Sequence, residues 1–394
     1  MDPAARTVAS RTVQTDRLGL RTGAGLGVAG SLLTAGVLHH LIFSWPASRA
    51  ADGFESDLLT HFTMLHTVLH DSPWAYSAFY YLLRAVTVGT SDPQLLIQAG
   101  FLVLGMIAVL KGVMTAGLLL NEGYRPVGAA AVATMLGTAL ALPLPVWMDH
   151  FYLGTFPPNT LGSATQPLAN AMAILAAWGL CAWYERPDRR ATLLLGLTGA
   201  ASALAKPALT PAWLAVVGVL AIVMWRRDRG GRRLLGVAAA MALPTATLGV
   251  GFLLTFGDGA ARRVRFREWS EFSTSLPIDL LRSWAFPIAV IVALAVTRRG
   301  SGAVRYLVPA WLMLLVGILQ SQLLMDTDPS GVPIGYGDMN WGAVAATSGL
   351  YAVSAMALLR TSPRARLVPF GVLGVQTAAA LVHLHHWVRT GSYF

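Results

Sequence analysis

The sequence is short of the side chains that a water-soluble protein needs. Charged residues occupy 12% of its 394 positions and apolar ones 55%, against roughly 25% charge in an ordinary soluble domain. So little charge cannot clothe a globular surface of that size, which excludes the common soluble enzyme classes. Cysteine is reduced to Cys181 inside an apolar run. That excludes an intramolecular disulfide and leaves thiolate–metal chemistry without partners. Lysine is reduced to Lys111 and Lys206, so arginine carries nearly all of the positive charge. With abundant Ala and Gly, this is the composition expected of a GC-rich bacterial genome.

The net charge of +10 does not point to nucleic acid. The arginines are scattered through short connections between long apolar runs, which is the orientation signal of a membrane protein. Apolar strands of soluble α/β proteins last about 4–8 residues, whereas here the runs reach the ~20 residues that a hydrocarbon core demands. They fall at about 23–45, 95–120, 127–147, 167–184, 191–206, 209–225, 234–256, 284–297, 304–325, 341–359 and 367–388. The expected fold is an all-α integral membrane bundle of about ten or eleven transmembrane helices, with an amphipathic surface helix in the first external loop. Residues 1–22 read as a basic cytoplasmic tail and 23–394 as one polytopic membrane domain, with external loops at 46–94, 148–166, 257–283 and 326–340.

Alternating the spans from a cytoplasmic N-terminus collects most arginines inside and places the C-terminus outside, as the positive-inside rule requires. The same layout puts all nine histidines and most carboxylates at the external surface. A bacterial plasma-membrane protein with its chemistry on the outer face is the expected arrangement. Only loop 257–283, with Arg262, Arg263, Arg265 and Arg267, runs against the rule. Segment 72–90 is aromatic and apolar but carries Arg84, which suits a surface or re-entrant helix. Around Lys206, Pro207 and Pro211 a pair of short helices joined by a turn is expected. Lys111 is read as snorkelling inward.

In the first external loop the pattern from Glu55 to His70 is helical. Leu58, Phe62, Leu65 and Leu69 form an apolar arc, and Asp57 and His61, at i and i+4, share one edge of it. Glu55 and Asp57, one residue apart and beside histidines, suit a divalent cation or a general base. They equally suit the positive N-terminus of an interfacial helix. Loop 148–166 carries Asp149, His150 and Asn159 among Pro, Gly and aromatic residues. Lys206, at the outer end of a short helix, suits capture of a phosphate or simple snorkelling. Arg282, ahead of Trp284 and Pro287, is the candidate of its loop for the same role. Asp338 and Asn340 stand at the start of a late span, where capping is the default.

Together these features resemble the GT-C superfamily of membrane glycosyltransferases. Glu55-Ser56-Asp57 resembles the acidic pair of their first external loop. Tyr152-Leu153-Gly154 through Pro157, Asn159 and Pro167, then Leu204-Ala205-Lys206-Pro207, and Gly335-Tyr336-Gly337-Asp338-Met339-Asn340-Trp341-Gly342 also look like bacterial proteins of that architecture. The resemblance implies transfer of a sugar from a polyprenyl-phosphate donor to an envelope glycan or lipid acceptor. It implies Asp57 as base with Glu55 beside it, Lys206 or Arg282 on the donor phosphate, and Asp149, His150, Asn159, Asp338 and Asn340 around the substrates. A divalent ion, Mg2+ or Mn2+, held by Glu55, Asp57 and His61 would offset leaving-group charge. The competing readings are a transporter or flippase for a lipid or small solute, and a non-catalytic partner in envelope polysaccharide assembly. The topology is directly testable: reporter tags placed after Asp57 and after Arg229 are expected to report opposite compartments. Tags reporting the same side would dissolve the proposed external site.

Overall fold

A computed structural model describes residues 61–62, 77–88, 90–138, 164–228, 231–256, 263–266, 281–297, 300–327 and 337–390. Helix α1 (Ala78–Thr87) follows Ser77, whose Oγ accepts from the Phe79 N–H, and ends at Val88 in the left-handed region (φ 49°). At ten residues α1 spans about 15 Å, so segment 72–90 holds a helix too short to cross a bilayer. Helix α2 (Pro93–Asn121) starts with Asp92 as cap and Pro93 in its first turn, the order that pre-forms a helix N-terminus. It turns at Gly123 (φ 100°) into α3 (Pro126–Thr138).

Helix α4 (Gln166–Glu185) is followed by α5 (Arg189–Ala205), capped by Asp188. Pro207 ends α5, and a single 3-10 turn, Pro207–Leu209, leads into α6 (Thr210–Asp228). The expected pair of helices with a turn at Lys206 is therefore present. Then come α7 (Gly231–Phe256), strand β1 (Arg263–Phe266), α8 (Ala285–Val296), α9 (Gly300–Leu323), strand β2 (Leu324–Thr327), α10 (Gly337–Leu358) and α11 (Leu367–Thr390).

Among the described residues, seven stretches are long and apolar enough to cross a membrane: Pro93–Asn121, Gln166–Glu185, Pro207–Arg227, Leu234–Gly251, Val304–Leu323, Trp341–Leu358 and Arg364–Val382. The protein is a polytopic helical membrane bundle. The expected span at 191–206 is a 17-residue helix and that at 284–297 a 12-residue helix. The expected first span, 23–45, lies outside the described residues. Among the described residues the helical rule has one exception. β1 and β2 pair antiparallel, Arg263 opposite Thr327 and Phe266 opposite Leu324, and so tie two of the expected external loops together.

The core is organised around α10, which packs on α4, α8, α9 and the 207–209 turn. Its run of Ala, Gly, Ser and Thr is almost wholly buried. In lipid there is little hydrophobic gain from helix association, so small residues that let backbones approach carry the packing. A Cβ at Gly349 would stand 2.8 Å from the Ala173 carbonyl and 2.7 Å from Ala177 Cβ. One at Gly342 would stand 2.5 Å from the Ala208 carbonyl. Helix α7 is the opposite case: it packs on α5 and α6 and leaves Leu235, Leu243 and Leu253 exposed, an apolar surface suited to lipid.

The connections expected to be cytoplasmic gather at one end of the bundle. There Arg360 binds Glu185 through two bonds, 2.8 and 3.1 Å, and lies 4.2 Å over the Tyr306 ring. Tyr124 donates to the Ala355 carbonyl at 2.7 Å. Arg366 donates to the carbonyls of Leu359 and Thr361, satisfying acceptors that the end of α10 leaves over. Burial, and behind it the Glu185 charge, hold the Glu122 carboxyl above its ordinary value, while Arg360 draws it back.

Gly349→Val should prevent the close α10–α4 approach, abolishing monodisperse protein in size-exclusion chromatography, whereas Leu243→Val on exposed α7 should not. Glu122 gives a pH test. Its folded pKa lies above its unfolded value of about 4.3, so its stabilising share is present at acid pH and lost as pH rises through the folded value. Glu122→Gln should therefore unfold at a higher temperature than the wild type at neutral pH, with the difference closing below pH of about 4.

Candidate functional site

At the end opposite Arg360 a chain of contacts joins the expected first external loop to the Lys206 turn. His61 and Phe62 are helical, as the Glu55–His70 pattern requires. Phe62 is fully buried, packing edge-on against Phe101 (5.2 Å between centroids) and against Phe79. That fixes His61, half-buried, with Nδ1 2.7 Å from the Tyr80 hydroxyl. Three residues earlier in the same α1 segment, the Ser77 hydroxyl donates to the Ala205 carbonyl at 2.5 Å. This anchors α1 to the last residue of α5.

The next residue is Lys206. It is 4% exposed, and its Nζ lies 4.5 Å from the centroid of the Trp341 ring. Pro207 forces the chain out of α5, so the lysine projects from a turn instead of a helix face. The ring quadrupole holds the ammonium by about 0.5–2 kcal/mol. Gln320 donates to the Ala208 carbonyl at 2.9 Å, and Gln166 donates to Asn170 and to the Trp341 carbonyl. The turn is thus held by α9 and α10, and α4 in turn bonds the start of α10. A buried cation on a rigid turn, beside an aromatic wall, is chemically suited to one phosphate group.

Arg282 occupies a second layer. It is 7% exposed and lies just before α8. The Ser283 carbonyl would bond the N–H four residues on in a continuous helix, but that residue is Pro287, which has none. The Tyr351 hydroxyl donates to it instead, at 2.5 Å. Gln376 donates to both the Arg282 carbonyl (3.2 Å) and the Tyr351 oxygen (2.8 Å). Side chains of α10 and α11 thus bond the carbonyls left over at the break at Trp284, as an interrupted helix among apolar surroundings requires.

This layer is deep. Tyr351 stands ten residues from Trp341 and seven from Leu358 along α10, about 15 Å and 10 Å respectively. Nine residues at roughly 100° each also turn Tyr351 to the side of α10 opposite Gly342, which faces the Lys206 turn. Lys206 and the Arg282 backbone therefore belong to different sites. Arg282, expected at the entrance of a span, lies three residues before the twelve-residue α8.

Asp338 and Asn340 lie in the first turn of α10, at the same end as Trp341 and Lys206. Glu55, Asp57, Asp149, His150 and Asn159 lie outside the described residues. Among the described residues no three His, Cys, Asp or Glu side chains group as a metal site. Ser77, Tyr80, Gln320, Tyr351 and Gln376 were not singled out from sequence. A signal existed for Gln376, a lone amide within an apolar span, since polar groups at membrane depth are costly and seldom idle. Compared with known protein families and with curated proteins, the chain matches none of them.

Proposed function

We propose that the protein is a GT-C-like membrane glycosyltransferase, moving a sugar from a polyprenyl-phosphate donor to an envelope glycan or lipid acceptor at the outer face. One observation carries this reading: the first-loop residue His61 and the buried Lys206 are brought to the same end of the bundle through Tyr80, Ser77 and Ala205. Asp57 precedes His61 by four positions in the sequence, the spacing at which two residues of a helix become neighbours.

In this reading Lys206 binds the donor phosphate. The acceptor oxygen attacks the anomeric carbon, Asp57 takes the hydroxyl proton, and the carbon–oxygen bond to the phosphate breaks to release polyprenyl phosphate. Asp149, His150, Asn159, Asp338 and Asn340 frame sugar and acceptor. A divalent ion would sit on Glu55, Asp57 and His61, offsetting charge on the leaving phosphate. His61 would have to ligate it through Nε2, which needs the tautomer whose Nδ1–H donates to Tyr80. Two carboxylates with an imidazole suit Mn2+ better than Mg2+.

A second reading has its own observation. Transporters hold charge at mid-membrane on interrupted helices, and Arg282 before the half-length α8 has that form. A flippase for an anionic lipid or solute would use Arg282 and leave Asp57 dispensable.

Deletion and complementation separate the two. Mass analysis of a deletion strain should show one polyprenyl-phosphate sugar accumulating and one envelope glycan sugar missing. Wild-type protein should restore both, while Asp57→Asn and Lys206→Met, inserted at wild-type levels, should not. In vitro, Asp57→Asn should lower transfer by about 10²–10⁴-fold. Full restoration by Asp57→Asn together with failure of Arg282→Gln would replace the enzyme with the transporter.

A further inference from the structure

At the opposite end of the bundle lies a cleft that neither reading uses. About 270 Å3 of open space is lined by Tyr184, Glu185, Pro187, Val223, Met224, Arg227 and Arg305. Pockets for whole small molecules start near ~300 Å3, so this one suits a headgroup. We propose that it binds the phosphate of an anionic phospholipid, with Arg227 and Arg305 as the phosphate ligands and the acyl chains lying along α6.

The electrostatics leave the two arginines for an outside anion. The one carboxylate on the wall, Glu185, is held by Arg360 through both of its oxygens. Arg227 comes from the last turn of α6 and Arg305 from the first turns of α9, two helices that pack on each other. Arg305 lies 5.3 Å over the Tyr184 ring, which fixes its guanidinium at the rim. Guanidinium forks bind phosphate through paired N–H groups. The carbonyl ends of α4 and α6 repel an anion, so without the arginines the cleft would favour a cation.

A lipid is favoured over free phosphate by what continues from the cleft. Val219, Val223 and Arg227 follow at intervals of four along α6 and so share one face. Both valines are more than half exposed, and Ile222 beside them is half exposed. This apolar stripe runs straight down from the arginine into the depth of the bilayer. Trp225, 44% exposed, stands at the same level as the cleft, where interfacial tryptophans mark the headgroup region. A headgroup at Arg227 thus has a ready path for its tails.

The test uses the full chain in detergent and native mass spectrometry with phosphatidylglycerol or phosphatidylcholine. Wild-type protein is expected to retain phosphatidylglycerol at least several-fold better than phosphatidylcholine. Arg227→Ala/Arg305→Ala should abolish the preference, while Arg364→Ala, an exposed arginine elsewhere at the same end, should keep it. Val219→Ser/Val223→Ser retains both arginines and should weaken lipid retention. Inorganic phosphate alone should give no thermal shift. An undiminished preference in the double arginine variant overturns the site. An arginine-dependent shift with inorganic phosphate, unaffected by the valine changes, overturns the lipid as its occupant.

Discussion

Close backbone approach at α10 is the constraint on which the rest depends. In a bilayer, apolar side chains gain little by leaving lipid for protein, so helices stay together where their backbones fit. Gly349 against α4 and Gly342 against Ala208 supply that fit. The second contact does more than pack. It sets the 206–209 turn against α10, and with it the height of Lys206 beside Trp341. A buried lysine is thus positioned by a residue that has no side chain.

Much of the fold was legible because lipid imposes a length and a polarity that a one-dimensional sequence displays. Runs near 20 residues became helices, Pro207 marked a turn, and acidic or proline caps marked starts. What was not legible depended on distance in the chain. Glu185 and Arg360 are 175 residues apart, and nothing in either neighbourhood names the other. The β1–β2 pairing is equally non-local. The contacts of the Arg282 and Ser283 carbonyls are non-local too. Tyr351 and Gln376, which hold the break before α8, come from other helices and are distant in the chain. Within the site, Lys206 was legible as a costly charge in an apolar setting. Tyr80 and Ser77 were not, since an aromatic and a serine in an interfacial segment have many ordinary uses.

Two buried cations therefore lie on opposite sides of one central helix, at different depths. Each is held by a break in a helix: Pro207 ends α5 before Lys206 can continue it, and Pro287 removes the bond that would have absorbed Arg282 into α8. Proline here acts by subtraction. It takes away a backbone donor, and the vacancy is filled by Tyr351 or left as a turn from which a charge projects. Both arrangements begin in local covalent geometry.

The β1–β2 ribbon carries a consequence of its own. Its attachment is made of main-chain bonds, which are indifferent to the side chains that hang from them. Mutational drift can exchange the arginines of that segment for almost anything but proline and leave the two loops fastened. Selection acting on those loops is therefore free to reshape the side chains they present without unfastening the two segments, as a clasp keeps its grip whatever is pinned to it.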